Sequence, residues 1–421
     1  MTRRSSSRRD SLPGGVRIGM IAAVTIAAIG LIASRPDVVL LALPLALGTT
    51  FARGRAVATA PDIIVVPPKK PNAGRTTTEI SVASDAESVH LAILVGQARE
   101  HDVVLAPGEV ARATSRVQHS GPWVPVIAVA RTVDIAGAGA GDPGEQVSVR
   151  HTVAPVARPL QEIPVPYRLS GLHGVHNGHR AGQGGDFRDT HPFHPGDELR
   201  RVDWKATARR ARNLGDLHVR RVDAMSDASV AIVIDSSDDL GQVVGTWSSG
   251  DRSRSGVTSL DLGREAARSL AVAATGVGDR VALHELGRGG HNARSGAQSR
   301  HLARLVRVIS DIEPRGPISP YARVPLIERG AVVFVLSTFI DPAAREVALQ
   351  WAETGHRVIA VDVLPSLDTS RLDGAERASL RMVLAERAET LADLTRAGID
   401  TVRWAEEPSV RLRILARQRR R

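Results

Sequence analysis

Five histidines fall within a glycine-rich stretch near the middle of the chain. They are His173, His176, His179, His191 and His194. Imidazole nitrogens are good ligands for zinc and other borderline metals, so their three-residue spacings could hold a metal ion. Frequent glycine disfavours a helix that would fix the ligand geometry. We therefore favour a mobile or phosphate-contacting loop, and we keep a metal-dependent hydrolase using the His173–His194 cluster as the alternative function.

A second group of possible ligands follows an apolar run in the C-terminal half. Asp235, Ser237 and Asp239 have hydroxyl and carboxylate oxygens, which suit an octahedral Mg²⁺ that keeps several waters. The pattern resembles the Asp-x-Ser-x-Ser adhesion site of von Willebrand factor A domains, with Asp239 in place of the second serine. The later carboxylate that this resemblance implies is missing, because Ser337 and Thr338 stand there. We expect a degraded site that binds Mg²⁺ or no cofactor; the alternative is a purely structural role for these carboxylates.

The most distinctive block of the sequence runs from residue 186 to residue 209. Its segment His194-Pro-Gly-Asp197 has proline and glycine in positions that favour a turn. Opposite charges then crowd around Trp204, which indicates a network of salt bridges. Such a network could tie two domains together or could bind a ligand, and the sequence leaves both interpretations open.

This block resembles the signature of a bacterial family called domain of unknown function 58. The matching residues are Gly185, Asp186, Phe187, Pro195, Gly196, Asp197, Arg200, Asp203, Trp204, Lys205, Ala208 and Arg209. The sequence departs from the pattern at residues 191–193, where many members have Arg-Glu-Tyr. The resemblance extends over nearly the whole chain. It implies a membrane-anchored protein with a von Willebrand factor A-like C-terminal domain. The partners it implies are a MoxR-type AAA+ ATPase and a transglutaminase-like membrane protein.

The elements around the candidate sites can be predicted from apolar patterning. Continuous apolar runs at residues 230–234, 331–336 and 357–363 are typical of strands buried on both faces of a parallel sheet, and residues 281–286 fit an edge strand or a half-buried strand. Helical patterns alternate with these runs, which predicts a doubly wound α/β domain over residues 226–410. A ligand site of such a domain lies at the carboxyl ends of its strands.

The region that precedes the α/β domain has a different character. Residues 60–165 contain short β-favouring stretches separated by proline, glycine and asparagine, which predicts a β-sandwich-like module. Residues 166–225 hold the histidines and the signature block. The sequence therefore predicts a multidomain protein.

Two uncharged runs within residues 16–53 predict an N-terminal transmembrane helical hairpin. The alternatives are a cleaved signal peptide and a buried helical hairpin. The basic residues 1–15, together with Arg53 and Arg55 after the second run, put both ends of the hairpin in the cytoplasm under the positive-inside rule. The tail 411–421, which holds six arginines and no acid, would then face the cytoplasm as well. The expected location is the cell membrane, with two spans and the bulk of the chain cytoplasmic.

Composition excludes several function classes. The formal charge of +10 lies mostly at the two ends of the 421 residues, so it does not indicate a nucleic-acid surface, and aromatic residues at 3% argue against base-stacking platforms. The absence of cysteine excludes thiol catalysis and cysteine-ligated zinc. No Walker, His-Glu-x-x-His or Gly-x-Ser-x-Gly motif occurs. We expect a non-enzymatic adaptor that binds partner proteins through its A-type domain.

Overall fold

The computed structural model describes residues 14–54, 60–66, 74–86, 88–96, 99–106, 108–133, 141–167, 169, 176–181, 184–210, 213, 216–287, 289–316 and 324–418. The chain forms two compact units. The first comprises Met1–Val117 and Trp123–His151, and the second comprises Gln118–Pro122 and Thr152–Arg421.

The first unit begins with a pair of helices, α1 (Gly14–Ile32) and α2 (Pro36–Gly54). They pack through small residues, since a Cβ at Gly30 would come within 2.7 Å of the Val39 backbone nitrogen. Large apolar side chains remain exposed along both helices, among them Ile21, Leu31, Leu41 and Phe51. The contact between the two helices therefore buries small residues rather than large ones.

The transmembrane prediction was wrong. Among the residues that the structure describes, no helix combines the length and the apolar character needed to cross a membrane. Each of the two helices has 19 residues, close to the lower limit of about 17 residues for a span. Charged and polar residues also interrupt the apolar sequence of α2, at Asp37, Thr49 and Thr50. The predicted hairpin over residues 16–53 and the predicted cell-membrane location are both corrected by this finding.

A β-sandwich completes the first unit. Its strands are β1 (Asp62–Val66), β2 (Arg75–Ala83), β3 (Ser88–Val95), β4 (Arg99–Leu105), β5 (Val110–Arg116), β6 (Gly121–Trp123), β7 (Val126–Val133), β8 (Val147–Ser148) and β9 (His151–Val153). The short strands β6 and β9 each pass between this unit and the second. Antiparallel pairing gives one sheet in the order β1-β2-β5 and another in the order β4-β3-β7-β8, and β6 pairs with β9. Alternate side chains of both larger sheets share one core, in which Ile80, Leu91 and Ala128 are completely buried.

The second unit opens with three antiparallel strands, β10 (His176–Ala181), β11 (Gly184–Pro192) and β12 (His218–Ser226), in the order β10-β12-β11. The short helix α3 (Trp204–Arg210) lies between β11 and β12 in the chain. The signature block therefore lies on β11, on the turn that follows it and on α3.

A six-stranded sheet forms the body of the second unit. Its strands are β13 (Ser229–Asp235), β14 (Arg280–Leu286), β15 (Asn292–Gly296), β16 (Val332–Ser337), β17 (Arg357–Asp362) and β18 (Asp400–Arg403). Its helices are α4 (Ser259–Gly276), α5 (Ser299–Ser310), α6 (Pro342–Glu353), α7 (Gly374–Arg396) and α8 (Pro408–Arg417). The strand order is β15-β14-β13-β16-β17-β18, and only β15 runs antiparallel to its neighbour.

Hydrophobic cores cover both faces of this sheet. Ile232 and Ile234 of β13 pack into a core with side chains of α4, α5 and α8, and Ala231 and Val233 pack into a second core with α6 and α7. The strand order reverses between β13 and β16, so these two strands mark the topological switch point. Ligands of doubly wound sheets bind beside the carboxyl ends of the strands at such a point.

Candidate functional site

Asp235 ends β13 at the switch point, and its side chain is held by two serines. Asp235 is only 7% exposed. Its Oδ1 accepts hydrogen bonds from the backbone N–H of Ser237 at 3.0 Å and from the Ser237 hydroxyl at 2.6 Å. Its Oδ2 accepts a hydrogen bond at 2.7 Å from the hydroxyl of Ser337, which ends β16. Adjacent parallel strands therefore bring these three side chains together.

Negative charge accumulates around this edge of the sheet. Burial raises the pKa of Asp235; the hydrogen bonds from Ser237 and Ser337 offset part of this rise, and the charge of Asp341 adds to it. Burial also raises the pKa of Asp238, and the charges of Asp235, Asp341 and Asp239 raise it further. Carboxylates that disfavour one another's ionisation create a potential that attracts a cation.

Asp239 does not join Asp235 and Ser237. Its carboxylate accepts a hydrogen bond from the backbone N–H of Leu260 at 3.3 Å and pairs with Arg252 at 3.2 Å. Asp341 caps helix α6 by accepting from the backbone N–H of Ala343 at 2.8 Å. The oxygens that the structure gathers are those of Asp235, Ser237 and Ser337, which are hard ligands of the kind that Mg²⁺ prefers. Binding of Mg²⁺ here stays a prediction.

The signature turn has the geometry that its sequence predicts. The backbone N–H of Asp197 donates to the His194 carbonyl at 3.0 Å, which closes a turn over Pro195 and Gly196. Gly196 has φ of +107°, a value that a type II turn requires at this position and that favours glycine. The Asp197 carboxylate also accepts from the backbone N–H of His194 at 2.9 Å. The turn therefore fixes the distance between the His194 and Asp197 side chains.

The histidines of the glycine-rich stretch divide between two places. His176 on β10 hydrogen-bonds the buried carboxylate of Asp279 at 3.0 Å. His191 and His194 instead stack with ring centroids 5.6 Å apart, and His191 Nε2 lies 3.7 Å from an Asp197 oxygen. Residue His173 and the side chain of His179 lie outside the described part of the chain. Sequence spacing thus missed Asp197 as a neighbour of the two histidines, although it follows His194 by only three residues.

An open pocket lies beside the turn, with a volume of about 640 Å³. Its lining residues are Arg200, Arg201, Val202, Asp203, Trp204, Arg220 and Val222. Trp204 is 69% exposed and Phe187 is 52% exposed, and the Arg220 guanidinium lies 5.1 Å from the centre of the Phe187 ring. The pocket therefore presents cationic and aromatic groups to solvent.

Charged residues of the signature block have separate roles around this pocket. Glu198 pairs with Arg200 at 2.6 Å and with Arg201 at 3.2 Å, and the Arg200 hydrogen bond is the main reason why the pKa of Glu198 is lowered. Asp203 accepts a hydrogen bond from the backbone N–H of Ala206 at 2.9 Å and so caps α3. Lys205 and Arg209 are exposed on α3. Asp186 lies on β11, but its side chain is outside the described part. The observed ion pairs precede Trp204 rather than surrounding it.

Comparison with known proteins places these features in a family context. Residues 189–398 match the family model described as "Protein of unknown function DUF58", in agreement with the resemblance of the signature block. The chain is also 30% identical over 224 residues to uncharacterized proteins of Mycobacterium bovis and of two strains of Mycobacterium tuberculosis. The alignment covers 50% of this chain and 65% of each relative. The family match includes the turn, all the residues that line the pocket and the Asp235 edge of the sheet.

Proposed function

We propose that this chain is a non-enzymatic adaptor that binds an acidic segment of a partner protein in the pocket between Arg200, Trp204 and Arg220. The partner that we propose is a MoxR-type AAA+ ATPase, which follows from the family resemblance. The observation that carries the adaptor role is the exposed Trp204 among arginines in an open pocket. The second candidate, a hydrolase using the His173–His194 cluster, has less support because His176 pairs with Asp279, away from His191 and His194.

The residue types of the pocket support protein binding. Tryptophan and arginine dominate the energetic centres of protein interfaces, because they bury much area and form directed hydrogen bonds. Guanidinium groups bind carboxylates with two parallel hydrogen bonds. Asp203 is the one acidic residue among the lining residues, and its carboxylate already caps α3. An acidic segment with an apolar side chain to cover Trp204 therefore complements the pocket.

The Asp235 edge supplies a second recognition point under the same proposal. A Mg²⁺ ion bound by Asp235, Ser237 and Ser337 would keep open coordination positions. Such a position could accept a carboxylate of the partner, in line with the protein-binding A-type domain that the resemblance to von Willebrand factor A domains implies. Asp235 and Ser237 are the positions that match that pattern in this sequence.

A binding measurement between the purified full chain and a MoxR-type ATPase of the same organism tests the proposal. We expect Trp204→Ala and Arg220→Glu each to weaken binding by about tenfold or more, as loss of a central interface residue does. Arg209→Glu is the matched control, since Arg209 is exposed on α3 and does not line the pocket. Absence of binding by the wild type, or equal weakening by Arg209→Glu, would refute the proposal.

A further inference from the structure

We propose that His191, His194 and Asp197 bind one divalent transition-metal ion, with zinc as the best match. A histidine pair with one carboxylate is a ligand set that proteins use for zinc. The site contains a single acidic group, so it differs from the hard oxygen site at Asp235. It also differs from the five-histidine cluster that the sequence indicates, because Asp197 replaces the upstream histidines.

The three side chains already stand close to a coordinating arrangement. One ligand atom from each of them lies within 4.8 Å of the other two. Ligands of a tetrahedral zinc are about 3.4 Å apart, given metal–ligand distances of about 2.0–2.2 Å. His191 Nε2 and the Asp197 oxygen are 3.7 Å apart, and the ligand atom of His194 lies within 4.8 Å of both, so rotation of the side chains can bring one ion within reach of all three.

A backbone carbonyl orients the exposed histidine for this role. His194 Nδ1 lies 2.8 Å from the carbonyl oxygen of Pro192. A carbonyl can only accept, so Nδ1 carries the proton in this hydrogen bond, and in the neutral ring Nε2 then has the free lone pair. Metal-binding histidines commonly donate their other ring N–H to a carbonyl in this way, which fixes both the tautomer and the ring direction.

The stacking of His191 on His194 brings a second imidazole to the His191–Asp197 pair. The two ring centroids are 5.6 Å apart, and each of the three side chains offers a ligand atom to the same place. The side chain of His191 is 13% exposed, so the ion would lie partly shielded from water.

Binding of the metal ion would order the signature block locally. The ion would join the end of β11 to the turn that contains Gly196, directly before Glu198 and the arginines of the pocket. Three protein ligands leave one position of a tetrahedral zinc open, for water or a carboxylate. The metal site itself does not depend on the adaptor proposal; only its influence on partner binding does.

Titration of the full-length, chelator-treated protein with ZnCl₂ in a calorimeter tests the assignment. We expect one zinc per chain. His194→Ala and Asp197→Asn should each weaken binding by at least about 10-fold, since loss of even an outer-shell partner of a ligand weakens metal binding by about 10- to 100-fold. His194 is exposed, so its replacement should leave the fold intact, which circular dichroism would verify. His90→Ala is the matched control, because His90 pairs with Asp102 at 3.0 Å and belongs to no three-ligand group among the residues that the structure describes.

Substitution with Co²⁺ gives an independent readout. Four-coordinate cobalt absorbs visible light strongly, so the wild type should show this band and His194→Ala should lose it. The assignment is overturned if zinc does not bind, if His194→Ala binds zinc as tightly as the wild type, or if His90→Ala weakens binding equally. If the chain binds zinc but does not bind the ATPase, only the adaptor proposal is refuted.

Discussion

At the residue scale, His119 and Asp261 show how two titratable groups stabilise each other inside the second unit. His119 Nδ1 lies 2.7 Å from Asp261 Oδ2, and the backbone N–H of Ser120 donates to the same carboxylate at 2.8 Å. Burial lowers the pKa of His119, but the hydrogen bond and charge of Asp261 outweigh it and the net pKa is raised. Burial raises the pKa of Asp261, but His119, Ser120 and Arg264 together lower it below its usual range.

We expect His119→Ala to destabilise the protein by about 1–3 kcal/mol, the cost of losing a hydrogen bond to a buried charged group. The loss should be largest between about pH 4 and about pH 6.5, the unfolded-state pKa values of aspartate and histidine. The stabilisation disappears as the pH rises through the raised pKa of His119, and as it falls through the lowered pKa of Asp261. Urea unfolding of variant and wild type across this range measures the difference.

His90→Ala is the control for this experiment as well. Its partner Asp102 has a side chain that is 62% exposed, and exposed pairs contribute about 0–1 kcal/mol. A loss for His119→Ala that is the same at every pH would show that the ion pair is not its cause.

Asp235 leads to a second residue-scale prediction, which concerns Mg²⁺. The ion should raise the unfolding temperature of the wild type, with about 1.4 kcal/mol of stabilisation at a concentration tenfold above its Kd. Asp235→Asn should abolish that increase, because the amide loses the charge that attracts the ion. Without Mg²⁺ the variant should be at least as stable as the wild type, since a buried charge near Asp238 and Asp341 is removed. Thermal unfolding with and without Mg²⁺ checks both statements, and equal Mg²⁺ shifts would contradict them.

At the scale of single elements, helix α7 shows the value of a capping box. The Asp373 carboxylate accepts from the backbone N–H of Glu376 at 2.8 Å, and the Glu376 carboxylate accepts from the backbone N–H of Asp373 at 2.9 Å. We expect Asp373→Ala to cost about 1 kcal/mol and Asp373→Gly only a few tenths. Chemical denaturation gives both values, with exposed Ser379→Ala in the interior of the helix as the control. A larger cost for glycine than for alanine would contradict the capping explanation.

Elements with a strong local signal could be predicted from the sequence. The apolar runs at residues 230–234, 331–336 and 357–363 lie on β13, β16 and β17, because a strand buried on both faces has no polar positions. The Asp341-Pro342 pair begins α6 as a capping residue followed by proline. Features that depend only on a residue and its neighbours in the sequence, such as these buried strands and this helix cap, can therefore be predicted from the sequence.

Features that depend on tertiary contacts could not be predicted. His176 has the same spacing signal as His191, but β10 places it beside Asp279, which is far away in sequence. Asp239 occupies a plausible ligand position, but Arg252 and the start of α4 hold it elsewhere. The N-terminal apolar runs predicted membrane spans because patterning only counts apolar residues. It does not give the length of each helix, and it does not show that two helices pack against each other through small residues.

At the scale of the whole molecule, separate cores stabilise the two units. Ile80 is completely buried in the core of the β-sandwich, and Phe334 of β16 is completely buried in a core of the α/β sheet. A unit with its own hydrophobic core can unfold as its own cooperative step. We therefore expect two calorimetric transitions for the full chain.

Truncation of one core residue in each unit should move one transition only. Phe334→Ala removes the ring of a central strand and should destabilise the second unit by about 3–5 kcal/mol, and Ile80→Ala should destabilise the sandwich by about 2–5 kcal/mol. Differential scanning calorimetry measures the shifts of the two transitions. Hydrogen exchange with mass spectrometry assigns each transition to a unit, with β7 as the reporter strand of the sandwich and β13 as that of the α/β sheet. A cavity destabilises the cooperative unit that contains it. A single transition whose temperature both variants lower equally would therefore show that the two cores unfold as a single unit.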